Sequence, residues 1–372
     1  MIAFLKKRAV FCIATLCALV SCFFVPPSRA YASYIDWNTL FVLFALMTAV
    51  AGLERCGVFK WLSVRLCAVV HTARSLSAVL VFLCFFTSML ITNDVALLAF
   101  VPFAVLLFGM QKQVPRHVLP LVVVLQTVAA NTGSMLTPTG NPQNLFLYNN
   151  MGLSLGGFVL LLLPYTLLCG VLLALSLLFV PKTPLETFGS PNTRTQQGGW
   201  KTYLYAVLFF CCLLAVAKLI PKWVLALGVL VAVLCFDRKT LLRTDYFLLA
   251  TFVAFFIFSG NIASIPAVTA FLQSSVQGHE LAAGVIVSQV ISNVPATLLL
   301  YPFVADAKPL LLGVNIGGLG TLVASLASLI SFTLHTKSEK RGGAYLALFT
   351  AVNLIFILAL MAFWFAGGMR WL

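Results

Sequence analysis

The chain has 372 residues, 62% of them hydrophobic and only 9% charged, with a formal net charge of +14. So few charges cannot clothe a soluble globule, whose chain normally carries about a quarter charged residues, and this excludes a water-soluble enzyme or binding domain. The basic residues fall between apolar runs and build no basic face, so the charge balance belongs to a membrane protein and not to a nucleic-acid partner.

Each crossing of about 30 Å of hydrocarbon takes roughly 20 apolar residues, and runs of that length recur along almost the whole chain. The first, residues 9–25, follows Lys6, Lys7 and Arg8. Ala30 and Ala32 imitate the A-x-A spacing of a signal-peptide cleavage site. The apolar run of 17 residues is longer than a usual signal core, however, and Pro26-Pro27 reads as a helix end, so a retained helix is expected.

The next informative run, residues 76–108, is too long for one comfortable span and has positive charge on both flanks, at Arg74 and at Lys112 with Arg116. It reads as a re-entrant hairpin with Thr92, Asn93 and Asp94 at its tip. Two full helices joined by a polar turn at a membrane surface are the alternative. Residues 119–148 contain NTGSMLTPTGNPQN, which cannot continue a helix because Pro138 and Pro142 lack donors and Gly133 and Gly140 permit open backbone. Unwound backbone is tolerable in hydrocarbon only where protein or a water-filled cavity covers it, so this is a broken helix with both halves pointing at a common site. A helix N-terminus there carries roughly half a positive charge and attracts an anion without Lys or Arg.

Residues 203–219 read as one linking span, 281–304 as a second hairpin with its tip at Ser292 and Asn293, and the segment from Asn315 as a second interruption. The expected fold is an all-α polytopic membrane protein with about nine crossings plus two hairpins, N-terminus in the cytoplasm. That path leaves only Arg29, Lys218, Lys222, Lys308 and Arg370 of the 23 Lys and Arg outside.

An internal comparison carries the reading further. An offset of 200 lays SMLITNDVALLAFVPF, from Ser88, over SQVISNVPATLLLYPF, matching Asn93 with Asn293 and Pro102-Phe103 with Pro302-Phe303. An offset of 184 lays Asn131, Gly133 and Thr137 over Asn315, Gly317 and Thr321. Two ordered matches indicate a duplication, and the counted crossings start the second copy on the opposite face. The expected division is residues 1–183 as a first inverted repeat, 184–221 as a cytoplasmic linker and connecting helix, and 222–372 as the second repeat. Inverted repeats with interrupted helices at mid-membrane are the build of secondary transporters.

The ten cysteines show no paired spacing and read as small hydrophobes, and the four histidines fall near membrane ends with no assigned role. Of the nine carboxylates, Asp94 alone sits within an apolar run. Its insertion costs on the order of 2.5 to 3.5 kcal/mol, which suggests use as a coupling-ion ligand; capping the second hairpin helix is the plain alternative. No H-E-x-x-H, G-x-S-x-G or phosphate loop occurs, so neither an enzyme nor an ATP-driven pump is expected from this chain.

The hairpin tips Thr92-Asn93-Asp94 and Ser292-Asn293-Val294, with TPTGNPQN and Ala324-Ser325-Leu326-Ala327, resemble the ion transporter superfamily of arsenite permeases, citrate and dicarboxylate carriers and sodium/proton antiporters. Bacterial inner-membrane permeases of that superfamily are the nearest group, and Thr-Asn-Asp is similar to the arsenite and sodium/proton branches. The resemblance covers essentially the whole chain. It implies an ion-binding site of Thr92, Asn93, Asp94, Asn131, Thr137, Gly140, Asn141 and Asn144, with a counterpart of Ser292, Asn293, Thr297, Asn315, Thr321 and Ser325. These amides and hydroxyls suit a hard cation or an oxyanion, although a Ser or Thr hydroxyl also bonds its own helix backbone. The expectation is a secondary transporter of a small anion, driven by a proton or by sodium held at Thr92, Asn93 and Asp94; sodium/proton exchange is the alternative. No cofactor beyond the coupling ion is expected. The expected partners are the lipid bilayer and a small inorganic or organic ion, with a homodimer allowed and no nucleic acid.

Overall fold

A single segment in hydrocarbon can bond all its own backbone groups only as a helix. The computed structural model describes residues 9–67, 70–185, 199–338 and 342–367, and these are almost wholly helical, with no strand beyond an isolated bridge between Thr72 and Pro184. Lys6, Lys7, Arg8, Arg194, Lys340, Arg341 and Arg370, which entered the charge bias, lie outside the described residues.

In chain order the helices are α1 (Ala9–Phe24), α2 (Trp37–Arg55), α3 (Val58–Cys67), α4 (Ala73–Ser88), α5 (Asn93–Gly109), α6 (Val118–Ser134), α7 (Pro142–Asn150) and α8 (Leu155–Ser176). They continue as α9 (Gly199–Val216), α10 (Lys222–Phe236), α11 (Tyr246–Ala263), α12 (Pro266–Val276), α13 (Glu280–Ile291) and α14 (Asn293–Leu300). The last three are α15 (Ala307–Gly317), α16 (Leu326–Ser338) and α17 (Gly342–Phe365). Five segments among the described residues are long and apolar enough to cross a membrane: α2, α8 with its 3-10 extension to Phe179, α9, α11 and α17.

Most carboxylates stand where helices begin, because a side-chain oxygen there satisfies N–H groups that have no intrahelical partner. Asp36 accepts from Thr39 N at 3.1 Å, Asp245 from Phe247 N and Leu248 N at 3.1 and 3.2 Å, and Asp306 from Lys308 N at 3.0 Å. Thr72 and Ser75 form a reciprocal capping box at the start of α4. The first segment forms α1, which packs on α11 and is tied to it where Asn261 Nδ2 donates to Ser21 Oγ at 2.9 Å.

Helices α4 and α5 form a hairpin whose turn spans residues 89–92. Arg74, at its start, donates to Leu178 O and Val180 O at 2.8 and 2.7 Å, and Gln113, just past its end, donates to Pro184 O at 3.3 Å. Both feet of the hairpin therefore stand on one segment, so the chain enters and returns at the same end of the molecule. Asn93 and Asp94 are already the first turn of α5, so the turn falls a residue or two before the tip placed by pattern. Helices α6 and α7 are the two parts of the broken helix, interrupted over residues 135–141, and Pro142 starts α7 instead of ending α6. That is the position where its missing donor costs nothing. A second hairpin, α13 and α14, and a second interrupted pair, α15 and α16, follow.

The packing of these eight short helices is reciprocal. The first helix of each hairpin lies along the first part of the interrupted helix of its own half, α4 on α6 and α13 on α15. The second helix of each hairpin meets the last part of the other half's interrupted helix, α5 with α16 and α14 with α7. Such approach needs small residues: a Cβ on Gly133 would lie 2.1 Å from Phe85 O, and one on Gly317 2.7 Å from Ser288 Cβ.

Candidate functional site: a polar network across two helix interruptions

The interruptions leave open backbone ends inside the bundle, and side-chain amides fill them. Asn144 Nδ2 donates to Ser134 O, Met135 O and Thr137 O at 3.2, 3.1 and 3.2 Å, closing the carbonyl end of α6. Gln289 Nε2 does the same for α15, donating to Gly317 O and Leu319 O at 2.8 and 3.0 Å. Each hairpin then docks its tip on the facing break. Asn93 N donates to Gly140 O at 3.2 Å and Asn293 N to Ala324 O at 3.0 Å. Thr137 Oγ1 donates to Met89 O, and Thr321 Oγ1 to Gln289 O. These four contacts repeat at the same sequence offsets, 200 and 184, that align the two halves.

Side chains connect the breaks to one another. Asn93 Nδ2 donates to Asn131 Oδ1 at 2.8 Å, and the same oxygen accepts from Ser325 Oγ at 3.0 Å. Asn131 Nδ2 reaches Ser328 Oγ and Gly318 O, both at 3.4 Å. From the other half, Asn315 Nδ2 donates to Asn144 Oδ1 at 2.7 Å. Asn141 Nδ2 donates to Ser134 Oγ at 2.6 Å, and Ser134 in turn donates to Asn131 O at 2.9 Å. Asn93, Asn131, Asn141, Asn144, Asn315 and Ser325 are all buried and belong to this single network.

The other candidates sit around it. Gly140 contributes its carbonyl, and a Cβ there would lie 2.1 Å from Ser134 O, so no larger residue fits the break. Ser292 Oγ points to Ala324 O and Asn293 Oδ1, both at 3.4 Å, with its backbone in the left-handed region at φ 76°. Thr297 turns away from the network, its hydroxyl donating to Asn293 O of its own helix at 2.7 Å. Thr321 is exposed on the rim. Thr92 is the N-cap of α5 but makes no side-chain cap bond. Asp94 is half-buried; its N–H goes to Asn93 Oδ1 at 2.9 Å, and its carboxylate accepts no hydrogen bond among the described residues, so it does not cap α5.

Among the described residues, the members of this network are amides, hydroxyls and backbone groups. Its electrostatics come from the N-terminal ends of α5, α7, α14 and α16, which all begin at or beside it and favour negative charge. Of the four buried amides with unpartnered atoms among the described residues, two stand at the breaks, Asn315 through Oδ1 and Gln143 in the first turn of α7 through both polar atoms, whereas Gln126 Oε1 and Asn261 Oδ1 lie away from them. Gln143, Ser134, Gln289 and Ser328 are absent from the residues singled out by sequence. Ser328 is the offset partner of Asn144 and could have been found by extending the internal match; Gln289 overlies Met89, so comparison of residue types gave no signal.

Apolar helices wrapped around buried, mutually bonded interruptions are the build of a membrane-embedded, multi-pass transporter. A sequence model described as citrate transporter matches residues 1–313. The chain belongs to the citrate transporter family. It is 33% identical over 320 residues to inner membrane protein YbiR of Escherichia coli, covering 84% of each chain. It is 29% identical over 329 residues to an uncharacterized transporter of Methanocaldococcus jannaschii, covering 88% of this chain and 89% of that one. A silicon efflux transporter of Oryza sativa subsp. japonica is 36% identical over 135 residues, 36% of this chain and 27% of that protein.

Proposed function

We propose that the chain is a secondary active transporter of a small oxyanion or carboxylate, driven by a proton or sodium gradient through Asp94. The observation that carries this reading is the amide network: buried, joined across both halves, ringed by helix N-termini and left with open valences at Gln143 and Asn315. An anion placed there would gain from four helix ends without needing a formal cation, and the amides would supply both donors and acceptors to its oxygens. Asp94, half-buried beside the network and without a hydrogen-bonding partner, is the group free to take up a proton or, with the oxygens of Thr92 and Asn93, sodium. The name of the rice relative, a silicon efflux transporter, supports a small inorganic solute, and the family's description, citrate transporter, supports a carboxylate.

The two halves act in this reading as inverted repeats, residues 1–183 and 222–372, joined through 184–221. Their reciprocal packing and matched tip contacts support it. The placement is the bacterial inner membrane with the N-terminus inside, supported by the charge bias and by the Escherichia coli relative's name. A second reading, sodium/proton exchange, is favoured by Asp94 itself, the one carboxylate at the network. The test is flux into proteoliposomes, comparing labelled arsenite, phosphate and citrate with sodium under an imposed proton gradient. Solute flux that collapses with the gradient supports the anion transporter. Sodium flux that ignores every solute supports exchange, and no gradient-dependent flux of any kind would sink both.

A further inference from the structure

A cavity of about 200 Å³ opens at the start of α6, far from the network. Its lining includes Arg116, His117, Pro120, His335 and Tyr345, and no acidic side chain among the described residues. Arg116 and His117 are exposed at its mouth, whereas His335 and Tyr345 form a buried floor, each 1% exposed. The His335 ring is held by stacking on Tyr345, with centroids 4.6 Å apart and planes at 25°. Helix α6 begins here with His117 as its N-cap and no side-chain oxygen on its first N–H groups. The positive end of a 17-residue helix, a guanidinium and two imidazoles thus converge on one hollow.

We propose that this cavity binds a tetrahedral oxyanion of the phosphate class. The guanidinium fork takes two oxygens side by side, and the exposed His117 imidazole offers a further N–H donor. A tetrahedral anion presents an oxygen to each, whereas a carboxylate has only two to share among them. The site is distinct from the transport network, since Val118 and Asn131 are about 20 Å apart along the helix axis. The anion reaches it either as dissolved phosphate or as the headgroup of an anionic lipid, because the mouth lies at the helix ends where water and headgroups meet. The proposal does not depend on which solute is carried.

The test measures the melting temperature of the purified full chain in inorganic phosphate against chloride at equal ionic strength, and in nanodiscs of phosphatidylglycerol against phosphatidylcholine. Arg116→Gln with His117→Gln replaces the mouth guanidinium and imidazole by neutral amides, both on exposed residues. Lys112→Gln is the control, an exposed cation on the same loop but outside the cavity. The expected result is a saturable stabilisation by phosphate whose half-saturating concentration rises about tenfold in the double variant and is unchanged in the control. Stabilisation by phosphatidylglycerol alone, lost in the double variant only, assigns the same site to a headgroup. The proposal fails if neither anion stabilises, if the double variant responds as the parent does, or if Lys112→Gln loses as much.

Discussion

The two interruptions share a backbone and differ in chemistry. Residues 137–144 read TPTGNPQN, and their offset partners 321–328 read TLVASLAS. Both breaks accept the hairpin asparagine N–H on the equivalent carbonyl, Gly140 or Ala324, and both anchor a threonine on the hairpin turn. Yet Asn141, Gln143 and Asn144 face Ser325, Ala327 and Ser328, and Asp94 faces Val294. Backbone satisfaction in a membrane interior is obligatory, so both halves keep it. Side-chain amides and charge carry no such obligation, and they are concentrated in the first half.

The largest expected effect is at Gly140. A Cβ there meets Ser134 O at 2.1 Å, so Gly140→Ala must spread the first break, and gradient-driven flux in proteoliposomes should fall to background while insertion is kept. The offset partner already carries a Cβ, so Ala324→Gly should retain most of the flux. Equal loss at both positions would end the comparison of the two breaks.

Next is Asp94→Asn, which keeps the shape but neither exchanges a proton nor holds a cation well. Flux should lose its dependence on the driving ion, and Val294→Asp in that background should not restore it. Unchanged pH and sodium dependence in Asp94→Asn would remove the coupling role.

A smaller asymmetry is expected between two paired asparagines. Asn131→Ala leaves Ser328 Oγ without its partner and Asn93 Nδ2 with only the 3.5 Å contact to Ser325 Oγ, at about 1–3 kcal/mol for a buried group left unpaired. Asn315→Ala removes one cross-half bond and an oxygen that had no partner, so its melting temperature should drop less. The reverse order would show that the second half bears the network.

Outside both breaks, Asp237 offers a stability reference. Burial pushes its pKa up, but hydrogen bonds from Thr240, Tyr205, Lys201 and Arg55 outweigh this and hold it at about 2. A folded pKa below the unfolded value of about 4 gives stabilisation that is present above pH 4 and fades as the pH falls toward 2. Asp237→Asn should therefore cost roughly 2 kcal/mol near neutrality, with the gap to the parent closing in acid. A constant gap across that range would mean that packing, not charge, is lost. The mildest perturbation is a pair of single cysteines at Arg74 and Lys112 in a cysteine-free background. They should label from one side of the membrane only, because both feet of the hairpin stand on residues 178–184. Labelling from opposite sides would replace the hairpin with a crossing.

The membrane class, the two hairpins and the two interruptions were legible in the sequence. They rest on local rules: run length against hydrocarbon thickness, and Pro and Gly where a helix cannot continue. Asn93, Asn131, Asn141 and Asn144 could be picked out because an amide within an apolar run is costly wherever it ends up. What only the tertiary structure decided is which polar groups meet. Nothing local tells Thr297 to bond its own helix while Ser325 crosses to Asn131, since both are hydroxyls beside a break. Gln289 and Gln143 look alike as amides beside a break, yet one closes the end of α15 and the other keeps both polar atoms open. Hydrogen-bond partners are set by distances between elements far apart in the chain, and the pairing of α5 with α16 and α14 with α7 fixes those distances.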